Sequence, residues 1–223
     1  MSVADICYTS DVSDCNQVAL PFVSRWEPNA QERLVQAAME LYAERGFGET
    51  TAAEIAARAG LTERTFFRYF SDKREVLFSG AEAFAKLLAD GVAAAPPSAP
   101  PLEAVAAALQ AMAASFEARR DFARQRHALI CAHAELRERE LIKLASVSSA
   151  MAGALRSRGV KEPSASLAAK AGIAVLEVAF DGWAEDTKQK KTLSQHVRES
   201  LRALEAVAGG HAVTRRRRPR PDS

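Results

Sequence analysis

The sequence predicts an all-α protein, and three observations carry that prediction. Apolar residues recur at three- and four-residue spacing in almost every segment from position 29 onward, the period of a helix with one buried stripe. Helix-start signals crowd the same region: Asn29 with Glu32, Thr51 with Glu54, Thr62, and Asp72 with Glu75. No segment shows the strict apolar–polar alternation of a half-buried strand.

The first helix opens at Asn29 and buries Leu34, Ala37, Ala38, Leu41 and Tyr42. Gly46 ends it, because a residue without Cβ adopts the left-handed conformation that closes a helix, and Phe47 folds back on the last turn. A two-turn helix runs from the Thr51 cap to Gly60, and Thr62 caps a third. A longer helix follows from Asp72 through Leu77, Phe84, Leu87 and Leu88. The stretch "AAAPPSAPP", residues 93–101, cannot be helical because proline lacks the N–H and clashes with the preceding turn; it is a domain junction or an inter-helix loop.

Five further stripes predict a bundle: Leu102, Val105, Leu109, Met112 and Phe116; Phe122, Leu129 and Leu136; Leu141, Leu144, Met151 and Leu155; Ile173, Leu176, Phe180 and Trp183; Leu193, Val197, Leu201 and Leu204. Ala168, Ala171, Gly172, Ala174 and Ala179 make the helix before Trp183 small-sided, which permits close helix approach. With the last helix it forms the expected dimer bundle. Residues 1–28 lack periodicity, and two explanations fit: a disordered extension, or a translation start placed too early. The expected organisation is therefore a disordered extension (1–28), a small helical head (29–73), a helical body (74–208) and a disordered arginine-rich tail (209–223).

The 223 residues with 48% apolar content suffice for a real core. No run of 18 apolar residues and no signal-peptide pattern is present, so a cytosolic protein without a membrane segment is expected. Cysteines at 7, 15 and 131 form no C-x-x-C pair and predict reduced thiols. The net charge of +2 divides into −3 for residues 1–29, +4 for 211–223 and +1 for the rest. A nearly neutral body excludes a broad basic footprint, so any nucleic-acid contact depends on where individual charges point.

One stretch carries chemistry. Phe66, Phe67, Tyr69 and Phe70 fall within five positions of a chain that is 7% aromatic, interleaved with Arg64 and Arg68. Helix, sharp turn at Gly60 and second short helix are the layout of a helix-turn-helix, with Ala56 small where the next helix crosses. Helical spacing puts Phe66 and Phe70 on one arc and Glu63, Arg64, Phe67 and Arg68 on the other. An exposed ring between two guanidiniums suits a DNA groove: arginine reads guanine O6 and N7, and a ring packs on sugar or a thymine methyl. Thr51, Thr62 and Tyr69 offer hydroxyls to phosphates, Lys73 a point charge, and the helix N-termini free N–H groups.

At these residues the sequence resembles the TetR family of bacterial repressors. The resemblance covers residues 31–78 through "RGFGETTAAEIAARAGLTERTFFRYFSDKREVLF", similar to the family's Gly-Phe, Thr-Thr, Ile-Ala, Ala-Gly and Tyr-Phe-x-x-Lys landmarks in order and spacing. It implies a homodimer with a three-helix DNA-binding head and a variable helical domain that binds a small molecule and releases operator DNA. It also implies DNA contacts at Thr51, Thr62, Glu63, Arg64, Thr65, Phe67, Tyr69 and Lys73. Phe67 stands where most members have Tyr, Tyr69 where many have His, and Arg64 where a small residue is usual, so the operator does not transfer from relatives.

The expected effector is a largely apolar small molecule, with Met112, Phe116, Phe122, Leu129, His133 and Trp183 as candidate pocket residues and core packing as the competing role. His127, Cys131 and Glu135 share a helix face by four-residue spacing, but nothing completes a ligand set and no metal or other cofactor is expected. No nucleophile elbow, phosphate-binding glycine loop or H-E-x-x-H occurs, so an enzyme is not expected. The alternative to a DNA-binding regulator is a helical small-molecule-binding or scaffold protein whose head has no DNA function.

Overall fold

The computed structural model describes residues 30–188 and 190–210; the Asn29 cap, the extension 1–28 and the arginine tail from 211 lie outside the described residues. All regular structure among the described residues is helical. The order is α1 (Ala30–Arg45), α2 (Ala52–Arg58), α3 (Glu63–Tyr69), a 3₁₀ turn (Glu75–Phe78), α4 (Ala81–Ala94), α5 (Pro101–Phe116), a short 3₁₀ turn (Glu117–Arg119), α6 (Arg120–Ala132), α7 (Ala134–Ser157), α8 (Ser164–Glu185) and α9 (Leu193–Ala208).

Local chemistry fixes the head. The Thr51 side chain accepts from Glu54 N while Glu54 reaches back to Thr51 N, and the Thr62 side chain accepts from Thr65 N. Gly46 and Gly60 take φ of +87° and +66°, the left-handed region that a side chain disfavours, and so end α1 and make the sharp turn after α2. Arg33 of α1 donates to the Ala59 carbonyl at that turn. Arg58 grips Glu44 through two bonds of 2.9 and 2.8 Å, tying α2 back to α1. Leu34, Tyr42, Phe47, Ile55, Phe66 and Phe70 form the core between the three helices.

The long helix expected from Asp72 is broken. Asp72 accepts from the backbone N–H of Arg74 and Glu75, but Glu75 does not reach back; its carboxylate pairs with Arg139 at 2.7 and 2.9 Å, and α4 starts only at Ala81. Val76, Leu77 and Phe78 belong to the head's apolar cluster, which also takes in Ile130 and Leu136 from the body. The head core therefore extends past residue 73 and is shared with α6 and α7.

In the body, α4 packs on α5 and α7, and α8 packs on α5, α7 and α9. The proline stretch is an inter-helix loop, with Pro101 opening α5 where its missing N–H costs nothing, and Arg158 donates to the carbonyls of Ala95 and Pro96. Two expected stripes and the small-residue face are redrawn. Extended backbone at His133 separates α6 from α7, so Leu136 lies on α7 and not in line with Phe122 and Leu129. On α7 it is Leu136, Glu140 and Leu144 that turn inward, while Leu141 is 62% exposed. The small residues of α8 divide between two faces. Ala168, Gly172 and Ala179 are buried, with Gly172 under Val105 of α5, whereas Leu167, Ala174 and Val178 face out and Ala171 is half-buried.

Candidate nucleic-acid interface and ligand cavity

On α3, Phe66 is fully buried and Phe70 is 4% exposed, and their rings pack 5.6 Å apart against the head core. The opposite arc is free. Phe67 is 52% exposed and rests edge-on against Phe66 at 5.3 Å, so it projects from a fixed base. Glu63, Arg64 and Arg68 are exposed, and none makes an ion pair with a carboxylate or guanidinium among the described residues. Arg68 lies over the Tyr69 ring at 5.1 Å and reaches its hydroxyl at 3.4 Å. Thr51 and Thr62 are exposed at the starts of α2 and α3, and the Thr62 and Thr65 hydroxyls meet at 2.9 Å. These residues form one outward strip of mixed cationic, aromatic and hydroxyl character.

Lys73 departs from expectation. Its ammonium donates to the carbonyls of Phe47, Gly48 and Thr50 at 2.8, 3.0 and 2.8 Å and lies 4.6 Å from the centre of the Phe47 ring. All three N–H bonds are occupied, so in this structure Lys73 is no free phosphate ligand; it holds the α1–α2 turn. The Tyr42 hydroxyl donates to the Lys73 carbonyl at 2.7 Å and completes that staple. Arg33 and Lys73 gave no positional signal in the sequence, since their acceptors lie 26 and 23 to 26 residues away.

A second feature lies where head and body meet. A cavity of about 1540 Å³ is walled by α1, the Glu75–Phe78 turn, and α4 to α8. Of the six expected pocket residues, Met112, Phe116 and Phe122 line it. The other three do not, each for a visible reason. Leu129 packs on the head's apolar cluster. The His133 ring tilts against Phe47 at 5.0 Å. Trp183 is fully buried behind Phe180, under the Arg120 guanidinium, which donates to the carbonyls of Trp183, Asp186 and Lys191.

The wall is not only apolar. Arg126 and Lys143 share the Glu140 carboxylate at 2.7 and 2.6 Å, with side chains only 18, 12 and 21% exposed for Arg126, Lys143 and Glu140. Burial pushes the Glu140 carboxyl up, but Arg126 and Lys143 together hold it below its ordinary range. Burial, and then Arg126, push the Lys143 ammonium down. The sequence signal for this group was the four-residue spacing of Leu136, Glu140 and Leu144, a carboxylate set in an apolar stripe.

The metal face is dissolved by the break at His133. His127 touches Cys131 at 3.5 Å and Asp181 at 3.3 Å, while Glu135 turns to Arg74; no group of three or more metal-ligating side chains converges among the described residues. No helix among them is long and apolar enough to cross a membrane.

The sequence and fold comparisons agree with this layout. Residues 34–79 match the bacterial regulatory proteins of the tetR family, and residues 99–209 match the MftR C-terminal domain. The first of these matches covers the helix-turn-helix head. The chain belongs to the TetR family. It is 30% identical over 82 residues to the HTH-type transcriptional regulator TcmR of Streptomyces glaucescens, an alignment covering 37% of this chain and 36% of TcmR. Among solved structures, Thermus thermophilus FadR, a TetR-family repressor crystallised with lauroyl-CoA, superposes at a TM-score of 0.52 with 25% identity, covering 86% of this chain and 100% of that one. The SmeT–triclosan complex superposes at 0.59 with 20% identity, covering 86% and 99%; SmeT is the repressor of a Stenotrophomonas maltophilia efflux pump.

Proposed function

We propose that this TetR-family chain is a cytosolic, ligand-responsive repressor that binds a pseudo-palindromic operator as a homodimer. The observation that carries the reading is the division of α3: two rings anchor it from behind while Arg64, Phe67 and Arg68 project with no internal anionic partner. In a two-fold dimer two such helices enter successive major grooves about 34 to 36 Å apart. The dimer face is the outward side of α8 with α9, where Leu167, Val178 and Val207 are 63, 64 and 72% exposed. Seven residues, Thr51, Thr62, Glu63, Arg64, Phe67, Arg68 and Tyr69, supply the DNA contacts, with Thr65 bracing the start of α3.

The effector occupies the cavity between head and body. Its wall of Met112, Phe116, Phe122, Leu144, Leu176 and Phe180 suits an apolar molecule, in keeping with triclosan and with the acyl part of lauroyl-CoA in the two neighbours. The effector shifts the population toward a head spacing that no longer fits DNA, by no more than its differential affinity for the two states.

A gel shift on DNA upstream of the protein's own gene tests this. Specific retardation should survive excess competitor and weaken steeply with salt. Val178→Glu should give a folded monomer by sedimentation and lose retardation. A wild-type protein that retards only non-specifically would favour a helical ligand-binding or scaffold protein instead.

A further inference from the structure

Arg126 is the side chain on which the cavity and the DNA-binding head meet. Its Nη2 pairs with Glu140 on α7, its Nε donates to the Leu77 carbonyl at 2.7 Å, and its guanidinium lies 5.1 Å from the centre of the Phe78 ring. The same residue lines the cavity. Leu77 sits in the 3₁₀ turn that follows Lys73, and Lys73 holds the carbonyls of Phe47, Gly48 and Thr50 immediately before α2. Arg139 grips Glu75 in the same turn and lies 5.0 Å from the centre of the Phe78 ring, but it does not border the cavity. The cavity wall therefore reaches the start of the helix-turn-helix in three steps: Arg126 holds the Leu77 carbonyl, the Leu77 N–H donates to the Arg74 carbonyl at 3.0 Å, and Lys73, the residue before Arg74, holds the carbonyls ahead of α2.

We propose that Arg126 is the coupling residue of the regulator: a cavity occupant with an acceptor group draws its guanidinium off Leu77 and frees the turn that positions the head. The inference rests on the ligand-responsive reading above and names the residue through which that response travels. The exchange leaves the guanidinium satisfied and transfers the cost to the Leu77 carbonyl, which loses its donor. A guanidinium has five N–H donors and keeps its charge, so a ligand carboxylate or carbonyl can replace the Leu77 oxygen without leaving Arg126 unpaired. Glu140 stays neutralised by Lys143 at 2.6 Å, so the wall tolerates the move. The other acids on the lining, Glu32, Asp121, Glu177 and Asp181, are exposed, and Glu117 bonds the Leu193 N–H, so none of them stands in for the ligand acceptor.

Hydrogen exchange on the full chain tests the proposal. The Leu77 and Ser79 amides donate within the turn and report whether it is closed. In Arg126→Met they should exchange roughly tenfold faster or more, with α8 and α9 amides unchanged, because one charged hydrogen bond is lost locally. Arg126→Lys keeps the charge but not the fork and should restore only part of the protection. Sodium dodecanoate, the cavity probe, should speed the same amides in wild type and add nothing in Arg126→Met; dodecanol is the uncharged control. Wild-type protection in Arg126→Met, or an equal dodecanoate effect in both proteins, would overturn the proposal. The exchange readout needs no DNA, so failure of operator binding would count against the repressor reading and not against this coupling.

Discussion

The arginines of α3 and those that flank Phe78 are one residue type in opposite circumstances. Arg64 and Arg68 stand exposed without a carboxylate partner, whereas Arg126 and Arg139 are each fixed by a carboxylate within 2.9 Å and stacked on Phe78. Only the second arrangement is expensive to reverse. A free guanidinium on a rigid helix waits for an external acceptor and contributes nothing to the fold, while a paired one in a half-dry wall holds two elements together and resists loss of its partner. In the proposed function recognition falls to the arginines of α3, while the paired arginines hold the Glu75–Phe78 turn to α6 and α7.

The sharpest way to break this contrast is to remove one carboxylate from each place. Glu140→Met should destabilise the fold by about 3 to 5 kcal/mol in urea unfolding, because it leaves Arg126 and Lys143 buried with no anion. Glu63→Gln on α3 should fall within about 0.5 kcal/mol of wild type, as surface changes away from packed or bonded groups do. The Glu140 carboxyl also predicts a pH dependence. Its folded value is depressed, so its contribution is complete above the ordinary carboxylate value of 4.5 and is lost as pH falls through the lower folded value. Thermal unfolding from pH 6 to pH 3 should show this loss, and a Glu140→Gln protein should show a flatter profile.

Next in size is Arg64→Ala, expected to weaken operator binding by about 1 to 3 kcal/mol in fluorescence anisotropy while leaving the unfolding curve in place. Thr51→Ala removes the cap of α2 and should lower stability by about 1 kcal/mol. The smallest effect belongs to Phe67→Tyr, which adds a hydroxyl to an exposed ring: stability should stay within about 0.5 kcal/mol, with any change confined to DNA affinity.

The same contrast explains what was legible in the sequence. The head was readable because its determinants are local: the Thr51 and Thr62 caps, the left-handed Gly46 and Gly60, and the helical spacing that buries Phe66 and Phe70 and exposes Phe67 all act within a few residues. Lys73 misled because a lysine beside a DNA-binding helix reads as a phosphate ligand until three carbonyls, 23 to 26 residues upstream, are seen to occupy it. In the body, one residue of extended backbone at His133 shifted the register, placing Leu136 on the next helix and aiming His133 at the head. Glu140 took the inward place expected of Leu141 because two cations from α6 and α7 neutralise it there, a compensation that no single helix displays. Leu129 and Trp183 follow the same rule: their apolar character was clear, and the surface each one covers was decided by distant elements.

The central claim is that two copies of α3, held outward and related by a two-fold axis, read one duplex. Hydroxyl-radical footprinting on the protein's own upstream DNA measures this directly. Two symmetric protected half-sites are expected, their centres about 34 to 36 Å apart or a multiple of that, and Arg64→Ala should weaken protection at the same positions in both halves. A single unsymmetric footprint, or protection unchanged by Arg64→Ala and Arg68→Ala together, would contradict it.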